Sequence, residues 1–110
     1  MLINEKPFIG LDLNLLLVFL VIFRERSLTK AARHLRVTQP AVSGSLQRLR
    51  QRFDDPLFIR TARSMEPTGK AIEIADVLLP AMVQIEGLLS PGNSLFGMES
   101  GPHDCIPPSY

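Results

Sequence analysis

A short segment of the chain carries side chains suited to reading the edges of nucleic-acid bases: Thr38-Gln39-Pro40-Ala41-Val42-Ser43. The amide of Gln39 can form two hydrogen bonds with adenine N6 and N7, and the hydroxyl of Ser43 can meet several base edges. The ring of Pro40 offers an apolar surface for a thymine methyl group. Thr38 can hold a phosphate at the positive end of a helix. Gln39, Pro40 and Ser43 are therefore candidate base-reading residues, and Thr38 is a candidate phosphate contact.

The basic residues of the chain are concentrated around this segment. Eleven of the 12 Lys and Arg residues lie between Arg24 and Lys70, together with four acidic residues, so this window has a net charge of +7 against +1 for the whole chain. Such a window attracts a polyanion, whereas a solvated basic face is the alternative if no motif coincides with it. Long cations without a fixed partner mostly supply sequence-independent affinity. The predicted phosphate contacts are Lys30, Arg48, Arg60 and Arg63.

Apolar spacing around the same segment predicts two helices joined by a tight turn. A first helix, capped by Ser27, is predicted from Leu28 to about Leu35. After a turn at Arg36-Val37, Thr38 caps a second helix, which tolerates Pro40 because first-turn amides have no intrahelical partner. The second helix is expected to bury Ala41, Val42, Leu46 and Leu49. In a helix-turn-helix the second helix enters the DNA major groove, and the first braces it across the backbone.

The helix predicted before this motif is apolar on nearly every side. Asp12 or Asn14 can cap it, it continues to about Arg24, and one stripe contains Leu13, Leu16, Leu20 and Phe23. Its unbroken apolar run, residues 15–23, is well short of the ~20 residues needed to span a bilayer. We therefore expect a buried helix in a cytoplasmic, nucleoid-associated protein, with no membrane partner.

Two strand-like segments and a long helix are predicted after the motif. Leu57-Phe58-Ile59-Arg60 and Met65-Glu66 are separated by a turn and together form a candidate wing. Pro67-Thr68 then opens a helix from Gly69 to about Leu89, whose apolar residues recur at alternating spacings of 4 and 3. This is the pattern of a coiled-coil seam between two chains. Packing of the helix on its own domain is the alternative.

A second copy of the chain is the expected partner of that seam, because the first helix also has surplus apolar surface. The predicted dimer interface is Leu17, Val21, Ala71, Ala75, Leu78, Met82, Ile85 and Leu89.

The predicted fold is mainly α, a winged helix-turn-helix followed by a long dimerisation (linker) helix. Its parts are an N-terminal arm (1–11), the DNA-binding domain (12–66), the linker helix (67–89) and a disordered tail rich in proline and glycine (90–110).

No catalytic, metal or cofactor site is predicted. No nucleophile, base and orienting acid converge by spacing, so we do not expect an enzyme. The single cysteine, Cys105, cannot form an intramolecular disulfide, and its neighbours His103 and Asp104 have no second ligand cluster.

The order and spacing of these motifs resemble the N-terminal DNA-binding domain of LysR-type transcriptional regulators. The matching segments include Ser27-Leu28-Thr29-Lys30-Ala31-Ala32, Val37-Thr38-Gln39-Pro40-Ala41-Val42-Ser43, Leu46-Gln47-Arg48-Leu49, Pro56-Leu57-Phe58-Ile59-Arg60 and Glu66-Pro67-Thr68-Gly69-Lys70-Ala71. The resemblance covers about residues 11–89. It implies dimers joined through the linker helix and binding to partly symmetric promoter sites. It supports Thr38, Gln39, Pro40 and Ser43 in the groove, with Lys30 and the wing arginines near phosphate.

Two features depart from the family pattern. Gly44 stands where many members carry a longer polar or basic residue, so readout is expected to depend on Gln39, Arg48 and DNA shape. Regulators of this type also continue into an effector-binding domain, and the end of this sequence does not resemble the start of one.

The expected function is sequence-specific binding of double-stranded promoter DNA by a homodimer. This regulator would lack the effector-binding domain, and no small-molecule effector is expected for the chain alone. A tetramer is a further option for a full-length form. The alternative is a protein-interaction module that heterodimerises with a full-length relative and inhibits it.

Overall fold

The computed structural model describes residues 2–90, which contain four α-helices and one two-stranded sheet. The elements are α1 (Asn14–Glu25), α2 (Leu28–Leu35), α3 (Gln39–Phe53), β1 (Phe58–Arg60), β2 (Met65–Pro67) and α4 (Gly69–Leu89). A turn of 3-10 helix, Lys6–Phe8, lies in the predicted arm. The predicted fold, a mainly helical winged helix-turn-helix with a long final helix, is confirmed. The predicted disordered tail lies outside the described residues, apart from Ser90.

Side-chain caps begin both helices of the central motif. Ser27 Oγ accepts a hydrogen bond from the Lys30 amide at 3.1 Å, and Thr38 Oγ1 accepts one from the Ala41 amide at 3.2 Å. Each cap satisfies one amide of the first turn, which has no intrahelical partner. The two predicted caps are therefore confirmed, and they fix the positions at which α2 and α3 begin.

Three helices end on a left-handed residue that is not glycine. These residues are Arg26 (φ 56°), Arg36 (φ 60°) and Asp54 (φ 52°). Such a conformation costs an L-residue about 1–2 kcal/mol. Arg26 offsets part of this cost because its Nε donates to the Phe23 carbonyl at 2.6 Å and its guanidinium lies 5.0 Å from the Phe23 ring centroid.

Helices α1, α2 and α3 pack around a core that also includes the start of the wing. Phe19 and Phe58 are fully buried, and their ring centroids are 5.5 Å apart. In α1, Leu15, Phe19 and Ile22 are buried. Of the apolar stripe noted in the sequence, Leu20 and Phe23 pack partly against the core, whereas Leu13 is exposed. Because α1 is apolar on nearly every side, periodicity alone does not identify its inward face.

The buried face of α3 is narrower than predicted. Val42, Leu46 and Leu49 are buried, but Ala41 is exposed. Successive helical residues are rotated by about 100°, so Ala41 lies well to one side of the row that starts at Val42.

The wing is a short antiparallel hairpin. Phe58 pairs with Pro67, and Arg60 pairs with Met65. The turn between the strands is closed by a 2.8 Å hydrogen bond from the Thr61 amide to the Ser64 carbonyl. Met65 is buried against the core, whereas the tip of the hairpin, residues 60–63, is exposed.

Helix α4 spans two compact units, of which one ends at Leu78 and the other begins at Leu79. The predicted interface needs correction at Val21, Ala71 and Ala75, which are 7%, 0% and 6% exposed and belong to the chain's own core. These three side chains are already covered, so they offer no surface to a second copy.

No helix within residues 2–90 is both long and apolar enough to cross a membrane.

Candidate nucleic-acid interface

One side of α3 carries a row of polar side chains between its outward face and the wing. Gln39, Ser43 and Gln47 follow one another at intervals of four residues, which places them on one ridge of the helix. Gln39 and Gln47 are exposed, and Ser43 is half-buried. We call these three residues the α3 row. Pro40 is also exposed, in the first turn of the helix.

The first residue of the row is in contact with α2. Thr29 Oγ1 donates a hydrogen bond to Gln39 Oε1 at 3.3 Å, and both side chains are exposed. The amide nitrogen of Gln39 remains available as a donor, and its oxygen keeps a second lone pair. The bidentate pairing expected with adenine therefore remains chemically possible for Gln39.

A cleft separates the start of α3 from the wing. Gln39, Thr29, Arg60 and Arg63 line it. A second cleft follows, lined by Ser43, Gln47, Arg50 and Arg60 among others. Arg60 therefore borders both ends of the α3 row, and Arg63 lies with it in the cleft beside Gln39.

The remaining predicted phosphate contacts lie around this row. Lys30 is exposed in the first turn of α2, Arg48 is exposed on α3, and Thr38 caps α3. Within residues 2–90, the ion pairs do not include Lys30, Arg48, Arg60 or Arg63. None of these four side chains is therefore held in a direct ion pair with a carboxylate in this part of the chain.

Arg50 differs from the other arginines of the basic window. Its Nε donates to the Pro56 carbonyl at 2.7 Å, and its Nη2 donates to the Phe58 carbonyl at 2.9 Å. It therefore braces the wing against α3 instead of extending into solvent. Its Nη1 also donates to Gln47 Oε1 at 3.0 Å.

Sequence reasoning did not select Thr29 or Gln47 as site residues. The signal for Gln47 was present in the interval of four residues from Ser43, which continues the row begun by Gln39. The Thr29 contact depends on how α2 packs against α3, and no local pattern predicts it.

The carboxylate of Glu25 belongs to a small charged cluster at the end of α1. Arg24 Nε donates to Glu25 Oε2 at 2.6 Å, and mainly this hydrogen bond lowers the pKa of the Glu25 carboxyl below its ordinary value. His34 Nε2 lies 3.5 Å from the same oxygen. This cluster joins the end of α1 to α2, and the charge of Lys30, one of the predicted phosphate contacts, also contributes to the lowered pKa of Glu25.

The sequence of this chain matches a protein-family model and the sequences of named regulators. Residues 13–71 match the sequence model of the family described as "Bacterial regulatory helix-turn-helix protein, lysR family". Over 84 residues the chain is 43% identical to the HTH-type transcriptional activator NagR of a Ralstonia species, covering 76% of this chain and 28% of NagR. The chain spans about a quarter of the length of the curated relatives it matches.

Solved structures share the fold. The probable transcriptional regulator PA0477 from Pseudomonas aeruginosa superposes with a TM-score of 0.72 at 38% identity, over 80% of this chain and 32% of that one. A BenM_DBD/benA site 1 DNA complex contains a chain with a TM-score of 0.65 at 24% identity, over 72% of this chain and 92% of that one. At 24% identity, the similarity to the BenM_DBD chain shows a shared fold alone. On the evidence of its motif, its wing and the family match over residues 13–71, this chain belongs to the LysR family of bacterial regulatory helix-turn-helix proteins.

Proposed function

We propose that this chain binds double-stranded promoter DNA sequence-specifically, as a homodimer that regulates transcription. The observation that carries the proposal is the α3 row, whose hydrogen-bonding side chains lie beside a wing bearing arginines that form no ion pair with any residue in 2–90. A groove floor offers donors and acceptors to such a row, and the phosphates on either side offer charge. The base-reading residues are Gln39, Pro40 and Ser43.

The phosphate contacts of the proposal surround the row on several elements. They are Lys30, Thr38, Arg48, Arg60 and Arg63. A cation that neutralises a phosphate releases condensed counterions, so its contribution falls with salt and is nearly the same for every sequence. The proposal thus separates two classes of residue by two different measurements, base preference and salt dependence.

A dimer is part of the proposal because one α3 can read only a few base pairs. Two copies related by symmetry read two half-sites and give a site of useful length. With Val21, Ala71 and Ala75 covered, the remaining residues of the proposed interface differ in exposure. Leu17, Ile85 and Leu89 are 41%, 47% and 77% exposed, and Leu78 and Met82 are half-buried. Ile85 and Leu89 are four residues apart on α4, so their exposed apolar side chains are neighbours on the helix, and a contiguous apolar surface is what marks a protein interface.

Selection from a pool of randomised DNA duplexes tests the proposal. The purified chain is expected to enrich a partly symmetric sequence and to bind it, at moderate salt, about a thousandfold or more tightly than random duplex. Equal affinity for enriched and random duplex would overturn the proposal.

Failure of that test would favour the second reading, a module that heterodimerises with a full-length relative. The same exposed apolar residues of α4 would serve that partner. Co-purification with a full-length LysR-type relative, together with loss of DNA binding by the relative, would then be the expected result.

A further inference from the structure

The last residue of the α3 row, Gln47, has a fixed orientation. Its Oε1 accepts a hydrogen bond from Arg50 Nη1 at 3.0 Å. We infer that Gln47 is a further base-reading residue, oriented by Arg50, and that it selects guanine in the DNA major groove. The inference rests on the proposed function, because it assigns a base preference within the same interface.

The guanidinium that holds Gln47 is itself immobilised. Arg50 donates from Nε to the Pro56 carbonyl at 2.7 Å and from Nη2 to the Phe58 carbonyl at 2.9 Å, so its planar group spans the start of the wing. A guanidinium that donates to two backbone carbonyls has little rotational freedom. The carbonyl end of Gln47 is therefore directed towards Arg50, and its amide nitrogen is the group left to meet a ligand.

This orientation determines which base edge suits Gln47. An amide nitrogen is a donor only, and guanine presents two adjacent acceptors, N7 and O6, in the major groove. Adenine presents one acceptor beside an N6 donor. That donor would need the second lone pair of the Gln47 oxygen, whose first lone pair accepts a charged hydrogen bond, and it would approach the positive charge of Arg50. Guanine is favoured on both counts.

Gln39 has no comparable constraint. Its oxygen accepts from Thr29, a neutral and exposed hydroxyl, at the longer distance of 3.3 Å. The Gln39 amide can therefore turn to pair with adenine, whereas the Gln47 amide cannot turn without losing the bond to Arg50. The two glutamines of one row are expected to read different bases.

Gly44 brings Gln47 within reach of the groove. A Cβ added at Gly44 would meet no other part of the protein within 4 Å, so Gly44 faces open space one residue after Ser43 and three residues before Gln47. A helix without a side chain there can approach the groove floor closely. Gln47 lies eight residues after Gln39, a rise of about 12 Å at ~1.5 Å per residue. Its base is expected at most about three to four base pairs from the base read by Gln39.

The test compares the sequences enriched from randomised duplexes by the wild-type chain and by three variants. For wild type we expect guanine at one position of each half-site. Gln47→Ala should lose that preference alone, by about 5- to 100-fold in relative affinity. Gln47→Glu replaces the donor by acceptors and should shift the preference to cytosine, whose N4 donates. Gln84→Ala, the matched control at an exposed glutamine of α4, should enrich the wild-type sequence.

A second comparison concerns Arg50 as a positioning residue. Arg50→Lys keeps the charge but loses the planar fork, so Gln47 should become free to turn and adenine should be accepted at the same position. Replacing the enriched guanine by 7-deazaguanine removes N7 and should weaken binding by wild type but not by Gln47→Ala. This probe changes the DNA and does not use Arg50→Lys, so it remains decisive if that variant does not fold.

The outcomes that overturn the inference differ from those that overturn the proposed function. If wild type enriches a site and Gln47→Ala enriches the same site with unchanged preference at every position, only the role of Gln47 is wrong. A shift of Gln47→Glu to adenine instead of cytosine would also reject it. If wild type enriches no sequence, the proposed function fails and this inference fails with it.

Discussion

Thr68 Oγ1 donates a 2.7 Å hydrogen bond to Asp55 Oδ2 and thereby joins the turn after α3 to the first turn of α4. The same carboxylate oxygen accepts from the Leu57 amide at 2.8 Å. Thr68 Oγ1 in turn accepts from the Ala71 amide at 3.1 Å and so caps α4. Leu57 is fully buried and left-handed, with φ at 65°. The Asp55 carboxylate therefore accepts hydrogen bonds from both the strained residue Leu57 and Thr68, which caps α4.

Removal of this carboxylate is expected to destabilise the fold. Asp55→Ala should lower the free energy of unfolding by about 1–3 kcal/mol, because two half-buried donors lose their acceptor. Urea denaturation followed by circular dichroism measures the change. Glu73→Ala, at an exposed carboxylate of α4, is the control and should alter stability by less than ~0.5 kcal/mol. Equal effects of the two substitutions would show that the Asp55 hydrogen bonds make no net contribution to the free energy of unfolding.

The left-handed end of α2 predicts a stabilising substitution. Arg36 has φ at 60° and an exposed side chain, and glycine adopts this conformation without steric cost. Arg36→Gly should therefore raise the free energy of unfolding by about 0.5–1 kcal/mol. Arg33→Gly, inside the same helix, should lower it by about 1 kcal/mol. Thermal melts at matched salt compare the two, and the same sign for both would contradict the assignment of the helix end.

Substitution by alanine should change the free energy of unfolding in opposite directions at two glycines whose surroundings are equally open. A Cβ meets nothing within 4 Å at either Gly44 or Gly10, but Gly10 has φ at 81° whereas Gly44 is helical. Gly44→Ala should stabilise the chain by about 0.5–1 kcal/mol, and Gly10→Ala should destabilise it by about 1 kcal/mol. Denaturant midpoints measured on both variants provide the check. Destabilisation by Gly44→Ala would mean that the site is not open.

Local signals in the sequence predicted the elements of the fold well. Ser27 and Thr38 are strong caps, and each begins its helix where the pattern placed it. The turn residues between β1 and β2 likewise separated two correctly identified strands. Such signals depend on a few adjacent residues, which explains why they can be read without the tertiary structure.

Burial was harder to predict because it depends on packing between elements. Apolar residues surround α1, and only the packed structure selects Phe19 over Leu13 for the core. Ala71 and Ala75 fit a seam between chains as well as a contact within one, and the structure assigns them to the chain's own core. The role of Arg50 was similarly hidden, because its acceptors are backbone carbonyls of the wing.

Base-reading and phosphate-binding residues should be separable by two substitutions in DNA binding. Gln39→Ala is expected to cost about 1–3 kcal/mol on the enriched site and little on random duplex. Lys30→Ala should weaken both by a similar factor and reduce the salt dependence of log K by about one unit. Fluorescence anisotropy over a range of salt concentrations gives both quantities. An equal loss on both duplexes for Gln39→Ala would assign that residue to phosphate.

The proposed dimer can be tested at a position that leaves the chain's own core intact. Leu78 packs partly against that core, so a charge there would disturb folding as well as association. Ile85 is 47% exposed, and Ile85→Glu would place like charges in a seam between two copies. We expect the dimer dissociation constant to rise at least about tenfold, because burial of unpaired charge is costly. Gln84→Glu, an exposed neighbour off the seam, adds the same charge and should leave association unchanged. Sedimentation equilibrium of the two variants compares them, and a dimer equally stable in both would exclude this seam as the interface.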